Sequence, residues 1–483
     1  MISKDTSRPL ALAAVVVCNF MIAIEATIVA TAMPQIVGEL GGLQLYSWVF
    51  SAFLLTQTAT TVVFGKLSDR IGRKTVMLWG LVVFLVGSVL CGFAWSMPSL
   101  IVFRLIQGVG AGAIQPTGMT IVGDLYSAHE RGRVQGYLAS VWALSAVIGP
   151  LAGGLLVQHV SWAWIFWVNL PLGAVAALLF VRYLHEDVEH KEGRIDHLSA
   201  GVFAIAIAAV MADLTAMSSA SGREIAALTI IAVVAIAVFV MLERRSPEPM
   251  ISMKLWGRRT IAAANAAALL SGVTMIGLTT FLPVFVQGVM QQSALTAGFA
   301  LSAMVMGWPI GATLSARLLT RLGPQIILRI GGFMIPVGSG IFVLIDAGSS
   351  PWIAGLGSAL VGFGMGFLSS QSITTIQEIV EWGERGAATA AFLFARSLGN
   401  TFGATLFGAI LNWRLAAAGF GAVSSEQLRG LVDSAAGANN AAGLREALAG
   451  SLHATFVTMF AVALAVAAVT LAIPKIKLKP RVG

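Results

Sequence analysis

The chain has 483 residues, of which 57% are apolar and only 11% charged, with a mean hydropathy of +0.86 and a formal net charge of +8. Soluble proteins carry roughly a quarter charged residues, so this composition excludes a soluble enzyme and describes a chain built to lie in lipid. The cationic surplus is a loop bias of the kind that orients membrane proteins and requires no nucleic-acid partner.

Fourteen apolar runs are long enough, at about 20 residues each, to cross a hydrocarbon core of ~30 Å. They lie near 10–33, 45–64, 76–95, 98–122, 136–157, 162–184, 197–217, 224–243, 260–287, 295–315, 326–345, 352–376, 387–412 and 452–473. The runs are continuous rather than alternating, which argues against a β-barrel. The expected fold class is an all-α integral membrane protein. The first run has no cleavage site and contains an acid, so it reads as a retained helix rather than a signal peptide. With its leading end in the cytoplasm, most Lys and Arg fall on cytoplasmic loops, while Arg223, Arg414, Arg429 and Arg445 fall outside. Both termini are therefore expected in the cytoplasm, and the membrane is expected to be the cytoplasmic one. Cys18 and Cys91 both lie in apolar runs, where a disulfide is not expected.

Glu25 stands inside the first run. An acid at that depth is costly and marks a functional position by default. Arg104, in the fourth run, reaches a similar depth counted from the outer end and is its expected partner. Glutamate can give up a proton and arginine cannot. The pair therefore reads as a proton carrier beside a fixed charge, with a permanent structural ion pair as the alternative.

Residues 65–74, Gly-Lys-Leu-Ser-Asp-Arg-Ile-Gly-Arg-Lys, form a charged turn between the second and third runs. It must lie at a membrane face, with Gly65 and Gly72 expected to permit tight bends. Asp69 sits where a carboxylate can accept backbone donors from a helix N-terminus. The start of the run near Ala387 is the candidate receiver, and the contact would latch one half of the chain to the other. Arg70 and Arg73 belong to the same expected latch. The fifth run carries Ser145, Gly149, Pro150, Gly153 and Gly154, small residues that let helices approach closely around a proline bend.

The turn recurs in worn form. Lys66, Leu67, Arg70 and Gly72 correspond to Arg317, Leu318, Arg321 and Gly323, while Asp69 becomes Thr320. Gly108, Gly110 and Gly112 recur as Gly362, Gly364 and Gly366, and Gly149 and Gly153 recur as Gly399 and Gly403, at nearly one offset. The chain therefore divides into a six-helix bundle over 1–195, two inserted helices over 196–250 and a second six-helix bundle over 251–483, the repeat architecture of many transporters. His185, His190 and His197 lie in or beside the polar linker at irregular spacing, which argues against a metal site. Asp213, in the inserted pair, reads as peripheral. The long external loop, 413–450, could hold a short helix capped by Ser424 and Gln427. No Walker A loop and no zinc-protease motif appears, so neither ATP nor a metal cofactor is expected.

Five stretches in order together resemble the major facilitator superfamily, in particular its fourteen-helix drug:proton antiporters. They are IEATIVATAMP (24–34), GKLSDRIGRK (65–74), FRLIQGVGAG (103–112), SAVIGPLAGG (145–154) and WAWIFWVNLPLG (162–173). The resemblance implies export of lipophilic, often cationic compounds against an inward proton flow, with no cofactor beyond the proton gradient. It implies antiport through the fifth-run signature. It also implies partners limited to a small lipophilic substrate, protons and membrane lipids, in a monomer. One departure stands out, since Glu25 occupies a position that the family usually fills with aspartate.

A cavity between the halves, near the midplane, is the expected substrate site. Gln57, Trp142, Asn265, Met304, Trp308 and Gln371 are candidate lining residues, with ordinary helix packing as the alternative for each. Arg396, in a run without a nearby acid, either faces that cavity or extends toward the cytoplasm. With Glu25 the one clear core acid, monovalent cations or neutral lipophiles are expected over dications. Two other functions stay open at this point: export of a lipid or siderophore-like metabolite, and a non-transporting membrane sensor of the same fold.

Overall fold

The structure is a computed structural model that describes residues 6–41, 46–186, 197–216, 222–245, 257–292, 294–419 and 440–474. Helix coincides with every apolar run, because lipid offers no partner for backbone N–H and C=O groups and a helix satisfies them internally. In order these are α1 (Arg8–Leu40), α2 (Tyr46–Ile71), α3 (Arg73–Gly92), α4 (Met97–Leu125) and α5 (Ala128–His159). The sixth run is divided into α6 (Trp164–Trp167) and α7 (Asn169–Tyr183), and the inserted pair is α8 (His197–Ala216) and α9 (Gly222–Arg245). Then come α10 (Arg259–Val284), α11 (Ala294–Leu344), α12 (Pro351–Ile379), α13 (Arg385–Ala417) and α14 (Asn440–Leu471). Among the described residues, ten stretches are long and apolar enough to cross a membrane, and the longest, Thr296–Leu344, covers two predicted runs. The chain is thus an all-α, multi-pass membrane protein of ten to fourteen crossings. The expected Ser424–Gln427 cap and His190 fall outside the described residues.

The repeated turn has the same backbone in both copies. Gly72 has φ 97° and ψ 148°, and Gly323 has φ 74° and ψ 163°, a region that glycine enters without steric cost. Gly65 does not bend the chain as expected. Helix α2 continues through the charged stretch to Ile71, since polar side chains that reach water let a helix outrun the hydrocarbon. Gly65 instead allows close approach: an added Cβ would collide with Ala390 Cβ and Gly386 O on α13.

The triplet glycines show the same logic twice. Side chains at Gly108 and Gly112 would strike α2, and one at Gly110 would strike α3. Side chains at Gly362 and Gly366 would strike the first half of α11, and one at Gly364 its second half. Each triplet thus wedges one helix between the two that flank the repeated turn.

Helices α1–α7 pack among themselves, and so do α10–α14. The two sets share a core at the end of the molecule that carries residues 65–74, called here the charged end. There Val15, Leu125 and Val134 join Ile261, Ile376 and Phe392 in one apolar cluster. Toward the opposite end, the cluster of Ile28, Val49, Leu100 and Phe166 draws on the first set alone, and that of Phe281, Phe342, Phe407 and Phe456 on the second. The inserted pair lies over the join. Phe203 of α8 and Phe239 of α9 pack with Val62 of α2 and Phe394 of α13.

Candidate functional site

Five helices converge on Glu25. Its side chain is fully buried in α1. Arg104 Nη1, from α4, donates to Glu25 Oε1 at 2.5 Å, and Asn169 Nδ2, from the start of α7, donates to Glu25 Oε2 at 2.7 Å. Arg104 has further partners. Its Nη1 also donates to Gln107 Oε1 (2.7 Å), its Nε donates to Val49 O on α2 (3.1 Å), and its guanidinium stands 4.3 Å from the centroid of the Phe53 ring. Gln107 Nε2 in turn donates to Ser88 Oγ on α3 (2.9 Å), and Ser88 Oγ donates to Phe84 O (2.9 Å). This arrangement has a chemical consequence. If Glu25 takes up a proton, Arg104 keeps two oxygen acceptors and an aromatic face, so the loss of one charge does not strand the other.

A second constellation closes the charged end. Asp69 Oδ1 accepts from Gly386 N (2.9 Å), and Oδ2 accepts from Ala387 N (2.8 Å), the free donors of the first turn of α13. Asp69 Oδ1 also accepts from Arg73 Nη2 at 2.7 Å. Arg73 is the hub: Nε donates to Asp124 Oδ2 on α4 (3.1 Å), Nη2 to Trp382 O (3.0 Å), and its guanidinium covers the Trp382 ring at 3.9 Å. From the other set, Arg385 Nη1 reaches Asp124 Oδ1 at 3.0 Å. Gln377 Nε2, on α12, donates to Met119 O on α4 (3.2 Å), and Arg131 on α5 pairs with Glu378 (2.9 Å). Glu186 caps α3 by accepting from Arg73 N and Lys74 N at 3.0 and 2.9 Å. Arg70 lies beside this network on α2, whereas Gly72 supplies its corner.

On α5, Gly149 is pressed against Thr27 of α1, whose Oγ1 donates to Ser145 O at 3.1 Å, so this segment joins α1 to α5. Gly153 is buried, while a Cβ on Gly154 would meet nothing within 4 Å, so Gly154 is not part of the contact. Pro150 is helical, and α5 runs through it to His159.

The candidate cavity residues separate into groups. Gln57 Nε2 donates to Gln115 Oε1 (3.2 Å), joining α2 to α4, and Trp142 is 39% exposed on α5. Met304 is core: it is buried, and its backbone packs on Gly362. Gln371 is buried and bonded to Thr375 (3.4 Å). Asn265 is buried with neither amide atom hydrogen-bonded. Trp308 and Arg396 are partly exposed and face each other. Asp213 is buried between α8 and α9, accepting from Thr229 Oγ1 at 2.9 Å.

Several partners escaped the sequence reading. Asn169 carries a signal in retrospect, as an amide inside an apolar run, and Gln107 lies three residues from Arg104 on the same helix face. Asp124, Arg385, Gln377 and Glu378 look like solvated charges or ordinary amides at helix ends until the two sets close on each other.

The chain matches the family model described as Major Facilitator Superfamily over residues 15–404. It is 34% identical over 423 residues to a multidrug transporter protein, MdtP, of Bacillus subtilis (strain 168), an alignment covering 85% of this chain and 76% of the relative. It is 35% identical over 416 residues to multidrug resistance protein 3 of the same organism, covering 84% and 80%. In fold it superposes on the crystal structure of the human organic anion transporter MFSD10 (TETRAN) with a TM-score of 0.67 at 16% identity, over 96% of this chain and 99% of that one. With the repeated turn, the paired glycine wedges and the family match over most of its length, the chain belongs to the major facilitator superfamily, a family of transporters rather than enzymes.

Proposed function

We propose that this chain is a proton-coupled antiporter that exports lipophilic drugs or toxic compounds across the cytoplasmic membrane by alternating access. Its relatives are named as multidrug transporters, which supports drug efflux. The observation that carries the coupling is the buried Glu25–Arg104–Asn169 cluster, in which a proton can be taken up while the arginine keeps its other acceptors. The units are the bundles 1–195 and 251–483, with the inserted pair 196–250 between them. The charged end and both termini face the cytoplasm, because the cationic loops gather there. In the closed arrangement of that end, the substrate space between the bundles is cut off from the cytoplasm. The proton gradient supplies the energy, to which a membrane potential adds about 2.3 kcal/mol per charge per 100 mV. The protein requires no cofactor and works as a monomer.

The test uses inside-out vesicles with an acidic lumen and a panel of ethidium, Nile red and dansylglycine. Addition of a transported probe releases protons from the lumen in the wild type and does not in Glu25→Gln. Proton movement that persists in the variant removes Glu25 from the mechanism. No probe-dependent movement in the wild type across the panel contradicts the exporter reading.

A further inference from the structure

Arg396 lies about 16 Å along α13 from the charged end, at 1.5 Å per residue, which places it near the middle of a ~30 Å hydrocarbon layer. Its guanidinium stands 6.0 Å from the ring centroid of Trp308 on α11. Helices α11 and α13 do not pack side by side, since α10 and α12 stand between them in the C-terminal set. The two side chains therefore approach each other across α10 and α12 rather than within a direct α11–α13 packing seam. Both are partly exposed.

The charge of Arg396 is unanswered. Among the described residues no carboxylate forms an ion pair with it. Glu25 is committed to Arg104 and Asn169, and Asp69 and Asp124 are held in the network at the charged end. Arginine does not neutralise itself by losing its proton, and an embedded guanidinium without a counter-ion is costly. The Glu25–Arg104 pair sums to zero, whereas the embedded charge of Arg396 has no carboxylate partner among the described residues.

We propose that the cargo supplies the missing counter-charge: Arg396 and Trp308 form a subsite for an amphipathic organic anion, with a carboxylate or similar group on the guanidinium and an aromatic or apolar body along the indole. A guanidinium binds a carboxylate through two parallel N–H donors, and an indole face offers a large apolar surface beside it. This assignment rests on the exporter reading and narrows it. It departs from the expectation of monovalent cations or neutral lipophiles, which rested on Glu25 as the one clear core acid. Cargo and proton occupy different helices, so they compete through the position of the gate and not for one charge.

The test measures binding to the purified full-length protein in detergent by the emission of directly excited dansyl probes. Three probes share one ring system: dansylglycine (an anion), its methyl ester (neutral) and dansylcadaverine (a cation). The expected order is carboxylate, then ester, then amine, with a preference of about tenfold or more for carboxylate over ester. Arg396→Gln levels carboxylate and ester. Arg396→Lys retains part of the preference, because it keeps the charge and loses the fork. Trp308→Ala weakens all three probes alike. Equal wild-type affinity for carboxylate and ester, tighter binding of the amine, or an unchanged preference in Arg396→Gln overturns the assignment. The comparison of probes in the wild type holds even if a variant fails to fold. Proton release in vesicles separates the two readings. Coupled transport with binding indifferent to Arg396 sinks the subsite alone, and Arg396-dependent binding without proton movement sinks the antiport alone.

Discussion

The two bundles meet at the charged end along two seams, which are closed by different means. Between α2 and α13 the closure is electrostatic: Asp69 caps the first turn of α13 from another helix, and Arg73, Asp124 and Arg385 tie α3 and α4 to it. Between α5 and α11 it is mainly steric, with Gly132 against Ala316 and Gly136 against Thr313 and Pro309. The repeat explains the difference. The second copy of the turn carries Thr320 where the first carries Asp69, and the helix that would receive an acid there, α5, already caps itself. Ser127 N and Oγ both donate to Glu130 Oε2, at 2.9 and 2.7 Å. Helix α13 has Ala387 as its third residue, where α5 has Glu130, and the N–H groups of Gly386 and Ala387 go to Asp69. The carboxylate from the other bundle is thus found at the helix whose third residue carries no acid of its own. The other seam keeps a cavity of about 300 Å³ beside it, lined by Tyr126, Glu130, Arg133 and Arg317 among others.

The contrast breaks most readily at Asp69. Asp69→Ala removes the acceptor for two helix N–H groups and for Arg73 at once, and breaking such a buried pair costs about 3–5 kcal/mol. The expected result is a charged end that opens at least 100-fold more often, read as faster modification of a cysteine placed at Ala390. Glu130→Ala strips a cap of the ordinary kind, worth about 1 kcal/mol. The loss should appear as lower thermal stability, with modification at Ala390 unchanged. An equal opening in both variants would end the distinction between the seams. Thr320→Asp restores the eroded acid opposite a helix that is already capped. It should change gate opening by less than about 0.5 kcal/mol, and a large stabilisation of the closed end would show that α5 still needs an external acid.

Much of this arrangement is legible in the sequence, for identifiable reasons. Continuous apolar runs specify helices, because in lipid the backbone must be satisfied internally and the alternating pattern of a barrel is missing. Gly72 and Gly323 announce one corner twice. Counting residues from the helix ends brings Glu25 and Arg104 to one depth, because 1.5 Å per residue is a fixed ruler. The receiver of Asp69 near Ala387 follows from the direction of the helix dipole. Other features depend on how the bundles close, which no local pattern encodes. Arg73 reads as one of four cations in a loop until Asp124 and Trp382 surround it. Gly65 reads as a turn residue because of its charged neighbours, while its actual use is contact with a helix more than 300 residues later in the chain. Arg396 is visible as an embedded charge, but its approach to Trp308 requires α11 and α13 to be assembled around α10 and α12.

The most direct test of the account is whether the charge on Glu25 governs the gate. The proposed antiporter returns with its proton bound, so on that proposal neutral Glu25 favours an open charged end. Spin labels on Val181→Cys and Leu322→Cys, exposed positions of the two bundles at that end, report the separation by pulsed electron resonance, with the buried Cys18 and Cys91 left in place. The account predicts a separation that lengthens as pH falls in the wild type, and that is long at every pH in Glu25→Gln. A separation independent of pH in the wild type, or a pH response that persists in Glu25→Gln, would contradict it.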